Sequence, residues 1–157
     1  WSIGASGLVW LGLCLIAGGA CSNNGSDPAD PNHATVAGLD SDANGVRDDV
    51  DAYIDETYSD AAVRGALRQY AKAVQIAMID AGSAALSATH AVERFRAIEC
   101  VMAQRPDDFP IVFSELRARI LNTNQRTSAY LQADGQVVTA TPALLPVDQW
   151  SATCTTP

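Results

Sequence analysis

The chain has 157 residues, a formal net charge of −8 and a hydrophobic fraction of 48%. This length and composition predict a single folded domain with a sizeable core. The negative charge is concentrated in residues 22–60, which carry ten acidic side chains and one Arg. Because no basic patch with interleaved aromatic side chains accompanies it, nucleic acid is excluded as an expected partner.

Residues 1–21 predict a signal peptide. Residues 1–20 contain no charged side chain, and their apolar stretch has the length of a signal-peptide core. The small residues before Cys21 resemble a lipoprotein cleavage box, which implies acylation of Cys21, although Gly18 stands where Leu is usual. A plain secretion leader and an uncleaved anchor are the alternatives, since about twenty apolar residues can span a bilayer. All three interpretations export the domain that follows.

The position after the cysteine bears on localisation. Ser22 resembles the residue that sorts lipoproteins to the outer membrane of Gram-negative bacteria. The resemblance implies an outer-membrane lipoprotein, held to the membrane by a lipid anchor and facing the periplasm or the cell surface. A secreted or periplasmic protein is the alternative. Residues 22–38 are rich in Asn, Gly, Ser, Asp and Pro, so they predict a flexible tether in which His33 has no role.

Residues 40–51 predict a calcium-binding loop at the start of a domain that spans 39–157. Oxygen-bearing side chains alternate along the loop, and Gly45 supplies a sharp turn. A hard cation such as Ca²⁺ binds six to eight oxygens at roughly 2.3–2.6 Å, and this spacing can supply them. The predicted ligands are the side chains of Asp40, Asp42, Asn44, Asp48 and Asp51 and the carbonyl oxygen of Val46. The alternative is an empty turn that only caps a helix.

The order Asp-x-Asp-x-Asn-Gly resembles an EF-hand loop, and Asp51 at the twelfth place is similar to a dockerin loop. Gly-Val-x-Asp resembles a thrombospondin type-3 repeat, of which this chain has one copy. Arg47 departs from the EF-hand, which has an aliphatic residue there. The run from Asp42 to Ile54 resembles a loop-plus-helix motif in exported proteobacterial proteins of unassigned activity. That resemblance implies a helical domain after the loop and a paired Cys near its end.

The residues after the loop predict a mainly α fold, a small bundle of four to five helices. The helices are expected near 48–58, 61–80, 84–104, 110–121 and a short segment ending at 134–135. Apolar stripes predict the buried faces: Val50, Tyr53 and Ile54; Val63, Leu67, Tyr70, Val74 and Met78; Leu86, Ala91, Phe95, Ile98 and Met102; Ile111, Phe113, Leu116 and Ile120. Residues 136–141 predict a short extended segment, followed by an irregular tail in which Trp150 is an anchor.

Two cysteines remain after the leader, Cys100 and Cys154. Export places them in an oxidising compartment, where a disulfide is expected to tie the tail to the third helix. Two buried free thiols are the alternative. A bridge between them would close a loop of about 55 residues, for which the chain-entropy model gives roughly 4 kcal/mol of stabilisation.

Charged residues on the helices admit more than one interpretation. Arg64, Arg68 and Lys72 recur every four residues and predict a solvated face; the alternative is a docking strip for an anionic partner, such as the acidic first helix. His90 and Glu93 lie one turn apart, but no third ligand is spaced beside them, so His90 is predicted to be a surface residue. The motif Asn122-Thr123-x-x-Arg126-x-x-x-Tyr130 resembles one in the same exported group, where it implies no known role.

These features predict a cell-envelope lipoprotein, a calcium-stabilised helical module that acts in binding or structure, with an envelope protein as its partner. One alternative is a dockerin-like interaction module. Another is a small periplasmic enzyme or enzyme inhibitor, whose pocket would be lined by Arg94, Arg96 and Glu99. No catalytic grouping stands out along the chain, so catalysis is the less favoured interpretation.

Overall fold

The computed structural model describes residues 30–137 and 142–155. Within these ranges the chain is mainly helical and contains no strand. Five α-helices follow one another: α1 (Asp48–Thr57), α2 (Ala61–Ile79), α3 (Ala84–Gln104), α4 (Phe109–Ile120) and α5 (Asn124–Gly135). Two short 3₁₀ helices lie outside the bundle, at Pro31–His33 and Val147–Thr153. The predicted small helical bundle is confirmed.

Local capping sets where the helices begin. The Asp60 carboxylate accepts hydrogen bonds from the amides of Ala62 and Val63, which would otherwise have no partner at the start of α2. Ser83 caps α3 and Thr123 caps α5 in the same way. Helix α1 begins without a side-chain cap. Arg47 holds its N-cap position, and the Asp48 carboxylate turns back to Ser41.

Helix α2 lies at the centre of the bundle and contacts the other four helices. Its predicted stripe is confirmed, because all five of its residues are buried. They pack with apolar side chains from α1, α3 and α4 in one core. The members contributed by these three helices are Val50, Ile54, Ala97, Cys100, Val101, Val112, Leu116 and Ile120.

The predicted faces of α3 and α4 are partly wrong. Leu86 and Ile111 are exposed, and Val112 is buried in place of Ile111. Helix α3 turns a face of small and polar residues inward because it is covered on two sides, by α2 and by the C-terminal 3₁₀ helix. A single apolar stripe does not describe a helix with two covered faces.

The disulfide between Cys100 and Cys154 is present, as predicted. It ties the C-terminal 3₁₀ helix to α3, and Gln69 on α2 bonds to the backbone of Thr153 and Thr155 beside it. The Trp150 indole donates to the carbonyl of Leu145, so this hydrogen bond joins two residues within the tail. Gln136 and Val137 form a turn, and the rest of the predicted extended segment, 138–141, lies outside the described residues.

Candidate metal centre

The loop before α1 is folded around the carboxylate of Asp40. Its two oxygens accept from the backbone amides of Asn44 at 3.1 Å and Gly45 at 2.9 Å. The backbone can fold this tightly because Ala43 and Gly45 have positive φ, 57° and 89°. Gly45 reaches that conformation without the clash that a side chain would cause. The sharp turn predicted at Gly45 is therefore where the loop reverses.

Three of the predicted ligands come together. One carboxylate oxygen each from Asp40, Asp42 and Asp48 lies within 4.8 Å of the other two. Two oxygens that both bind one Ca²⁺ at roughly 2.4 Å can be no more than about 4.8 Å apart, so this separation suits a shared cation. The three carboxylates are solvent-accessible, and the cluster can hold a metal ion.

Asp48 is held in the ionised form. The backbone amide and the hydroxyl of Ser41 donate to its two oxygens at 2.8 Å and 2.6 Å. The hydroxyl hydrogen bond, followed by the amide hydrogen bond, lowers the pKa of the Asp48 carboxyl below its ordinary value. A carboxylate that stays charged is the form a metal requires.

The remaining predicted ligands are placed differently. The Asn44 amide lies between two carboxylates, and its nitrogen is 3.0 Å from Asp42 and 2.6 Å from Asp51. Its oxygen accepts instead from the amide of Val46. An NH₂ group cannot bind a cation, so Asn44 becomes a ligand only if this amide turns its oxygen inward. Val46 is buried in the core, with 3% of its surface exposed.

Cations on α2 face the loop. Lys72 donates to the carbonyl of Asn44 at 3.0 Å, and Arg68 bonds to Asp51 at 2.5 Å and to Asp55 at 2.7 Å. Arg64 pairs with Asp55 as well. Lys72 is exposed and the two arginines are partly exposed, so the stripe is solvated, and Arg64 and Arg68 also pair with acidic residues of the first helix. The first helix and the loop dock on α2 through opposite charges.

Arg47, at the eighth place of the loop, is buried with 1% of its surface exposed. Its guanidinium donates to the carbonyls of Arg119 and Ile120, the last residues of α4, and pairs with Asp49. The carbonyls that end a helix have no partner within it, so an arginine there satisfies them and suits the helix dipole. The departure from an EF-hand at this position therefore attaches the loop to α4.

Residues 30–39 are attached to the bundle by a second buried arginine. Arg126 on α5 is fully buried and donates to the carbonyls of Asn32, Thr35 and Val36. Gln75 on α2 donates to the carbonyls of Val36 and Ala37. We call residues 30–39 the strap. The described part of the predicted tether thus leads into the loop along a fixed path.

The motif Asn122-Thr123-x-x-Arg126-x-x-x-Tyr130 supplies contacts that hold the strap. Thr123 caps α5 and so sets the direction of the helix that carries Arg126. The Asn122 side chain accepts from Arg126 at 2.6 Å and lies 3.2 Å from the His33 ring. His33 is therefore in contact with the bundle. The Tyr130 ring lies between the guanidinium groups of Arg94 and Arg117, each about 5.3 Å from its centre.

Of the three residues predicted to line an enzyme pocket, Arg96 and Glu99 bond to each other, and Arg94 has other partners. Arg94 stacks on Tyr130 and bonds to Asp134. Glu99 is fully buried, where it accepts from Arg96 and from the amide of Leu145. Only Arg96 lines a groove, a concavity of about 780 Å³ between α2, α3 and the tail.

The prediction that His90 is a surface residue is wrong. It is 6% exposed, and its ring bonds to Glu93 on its own helix and to Asp80 at the end of α2. The second carboxylate comes from across a turn, so spacing along one helix did not reveal it.

No family model, curated protein or solved structure matches this chain. Among residues 30–137 and 142–155, no helix combines the length and apolar character needed to cross a membrane. The predicted lipidation site, Cys21, lies outside these ranges with the leader.

Proposed function

We propose that the chain is a calcium-stabilised helical module of the cell envelope, anchored by a lipid on Cys21, that acts in binding or structure. The observation that carries the proposal is the group of oxygens from Asp40, Asp42 and Asp48 within 4.8 Å of one another. Like charges at such short range repel unless a cation offsets them. Oxygen ligands on a flexible exposed loop favour Ca²⁺ over Mg²⁺, which demands a tighter octahedral shell.

The attachments of the loop support a structural role for the ion. Arg47 connects the loop to α4, Lys72 connects it to α2, and the strap that enters it is held by α5. An ion that orders the loop therefore orders the meeting point of three helices. A lone loop also lacks the paired partner through which sensor EF-hands open. Stabilisation of the bundle is the expected effect of binding.

The disulfide supports the envelope part of the proposal. Disulfides persist in exported proteins and are rare in the reducing cytosol. The bond between Cys100 and Cys154 joins positions 54 residues apart in sequence, and it secures a tail that has little core of its own. Such a bond suits a small domain that works outside the cytosol.

An apolar surface beside the loop supports a role in binding. Ile76 and Ile79 on α2 are partly exposed and line a concavity that also includes Asp40 and Gly38. Ile76 continues into the groove next to it, where Val92 is exposed as well. Contiguous exposed apolar side chains mark contact sites more often than single ones do.

The test is thermal unfolding of residues 22–157 with the disulfide intact, without divalent ions and then with Ca²⁺ or Mg²⁺. A ligand that binds only the folded state at about a hundred times its Kd adds about 2.7 kcal/mol of stability. For a domain of this size, millimolar Ca²⁺ should raise the midpoint by on the order of 10 °C. Mg²⁺ should have a smaller effect.

The variant Asp42→Asn removes one charge and keeps an oxygen that can accept from the Asn44 amide. It should lose most of the calcium response. The matched control is Asp107→Asn, the same change at an exposed position remote from the loop, which should keep the response. No shift at millimolar Ca²⁺ would reduce the loop to a helix-capping turn and refute the proposal.

A further inference from the structure

His90 lies where the end of α2 meets the start of α3, and both of its ring nitrogens face a carboxylate. Nδ1 is 2.9 Å from a carboxylate oxygen of Glu93, and Nε2 is 2.9 Å from one of Asp80. Carboxylates accept hydrogen bonds and cannot donate them while ionised. Both contacts are therefore hydrogen bonds only when each ring nitrogen carries a proton.

A neutral imidazole has one N–H and one bare nitrogen. Loss of a proton from His90, which is 6% exposed, would leave a lone pair 2.9 Å from a carboxylate oxygen. We infer that Asp80, His90 and Glu93 form a pH-sensitive latch, which holds the α2–α3 turn closed while the imidazolium persists and loosens it as the pH rises.

Polar contacts carry much of the attachment at this end of the bundle. The apolar cluster beneath the turn consists of the small side chains of Ala77, Ala81 and Ala133. Alanine methyl groups bury little area, so their hydrophobic contribution is modest. Gln136, just after α5, donates to the carbonyl of Ala81 and accepts from the hydroxyl of Ser87. A looser turn would therefore also release the end of α5.

The charges around His90 favour its protonated form. Burial by itself lowers the pKa of the imidazole, but the hydrogen bonds and negative charges of Glu93 and Asp80 outweigh it, so the pKa is raised above 6.5. On α5, Asp134 is bonded to Arg94. Two cations, Lys72 on α2 and Arg96 on α3, line the same groove as Glu93. The C-terminal 3₁₀ helix, which also packs on α3, contributes Asp148 in its exposed first turn.

The direction of the pH effect follows from linkage. Because the pKa in the folded chain lies above the unfolded value of 6.5, the latch contributes its full stabilisation below pH 6.5. The contribution is lost as the pH rises through the folded pKa. Neutral to mildly alkaline conditions therefore loosen the turn, and acidic conditions tighten it.

The first experiment is an NMR titration of the imidazole resonances of the full-length chain, with its disulfide intact and His90 assigned by the variant His90→Gln. The pKa of His90 should exceed 6.5. Asp80→Asn and Glu93→Gln keep an acceptor oxygen but remove a charge, so each should lower this pKa, and the double variant should lower it most. Asp107→Asn, an exposed control, should leave it unchanged.

The second experiment measures amide protection factors, which correct for the pH dependence of the intrinsic exchange rate, between about pH 5.5 and about pH 8.5. Each unit by which the measured pKa exceeds 6.5 should appear as about a tenfold loss of protection at high pH. The reporters are the amide of Ser83, which bonds to Asp80 across the turn, and the amide of Ser87, which bonds to Ser83 in the first turn of α3. The Arg64 amide, at the other end of α2, should keep its protection.

His90→Gln should remove the pH dependence at both reporter amides. The latch is refuted if His90 titrates at or below 6.5. It is also refuted if the Ser83 and Ser87 amides keep the same protection at both pH values, or if their pH dependence survives in His90→Gln.

Discussion

Two regions of this molecule are held together by opposite means. The core around α2 is made of apolar side chains on regular helices, such as Leu67, Val74 and Leu116. The strap and the loop are instead held by two buried guanidinium groups, Arg126 and Arg47, which bond to backbone carbonyl oxygens. The first region follows from hydrophobic burial, which has no direction. The second depends on hydrogen bonds, which have both distance and direction.

The difference decides how each region responds to damage. A core side chain that is shortened leaves a cavity, and its neighbours relax partly into it. A buried arginine that is removed leaves several carbonyl oxygens without a donor and without water. Arg126 is also buried close to a second cation, so burial, followed by the charge of Arg47, lowers its pKa to about 10. It remains charged at neutral pH and depends on its acceptors.

The largest effect is expected for Arg126→Ala. The carbonyls of Asn32, Thr35 and Val36 lose their donor, and breaking such a buried charged network costs about 3–5 kcal/mol. The measurement is the free energy of unfolding in urea. Amide exchange at Gly38 and Leu39, which bond within the strap, should rise more than exchange in α2.

The control for this variant is Arg119→Ala. Arg119 is exposed and stacks on Tyr53 at the surface, so its loss should cost about 1 kcal/mol or less. If Arg126→Ala and Arg119→Ala lowered the free energy of unfolding equally, Arg126 would contribute no more than an exposed arginine, and the strap would not depend on it.

The second effect comes from the backbone of the strap. Gly38 has φ of 66°, and a Cβ added there would lie 2.8 Å from a guanidinium nitrogen of Arg126 and 2.9 Å from Cγ of Arg47. Gly38→Ala therefore combines a strained conformation with displacement of both arginines, an expected loss of about 2–4 kcal/mol. Urea unfolding with and without calcium measures it.

Gly82 provides the matched control, because a Cβ there meets nothing within 4 Å. Gly82→Ala should be neutral or stabilise by up to about 1 kcal/mol through the unfolded chain. If Gly38→Ala were as stable as Gly82→Ala, the strap would have to be free to move away from its two arginines.

The comparison also explains what could be predicted from the sequence. The bounds of α3, 84–104, and the buried stripe of α2 were predicted correctly, because capping residues and helical periodicity are local signals. The loop spacing likewise brought Asp40, Asp42 and Asp48 together.

The two buried arginines that hold the strap and the loop, Arg126 and Arg47, could not be predicted in this way. A charged residue such as Arg126 is normally exposed, and its partners here are backbone carbonyls, which no residue type marks. The motif that contains Arg126 is the one available signal, and the resemblance on which it rests implies no role for it. The burial of His90 cannot be predicted from spacing along its own helix, because its second partner, Asp80, lies just after the end of α2.

The smallest effect on stability should come from an arginine outside the strap. Arg68 is partly exposed and pairs with Asp51 and Asp55, so Arg68→Gln should cost about 1 kcal/mol or less, and less still in high salt. Its effect on the free energy of calcium binding should be larger and favourable, whereas its effect on the stability of the fold is unfavourable. Arg68 competes with a cation for the Asp51 carboxylate, and its own charge repels the ion.

Arg68→Gln should therefore tighten calcium binding by about tenfold at low salt, as measured by titration calorimetry. Arg64→Gln removes the same charge one turn away, where the side chain bonds to Asp55 and to the carbonyls of Tyr58 and Ser59 but not to Asp51. Its effect on affinity should be smaller. Equal affinities in Arg68→Gln and the unaltered protein would exclude Asp51 from the ligands, and the ion would then depend on Asp40, Asp42 and Asp48 without it.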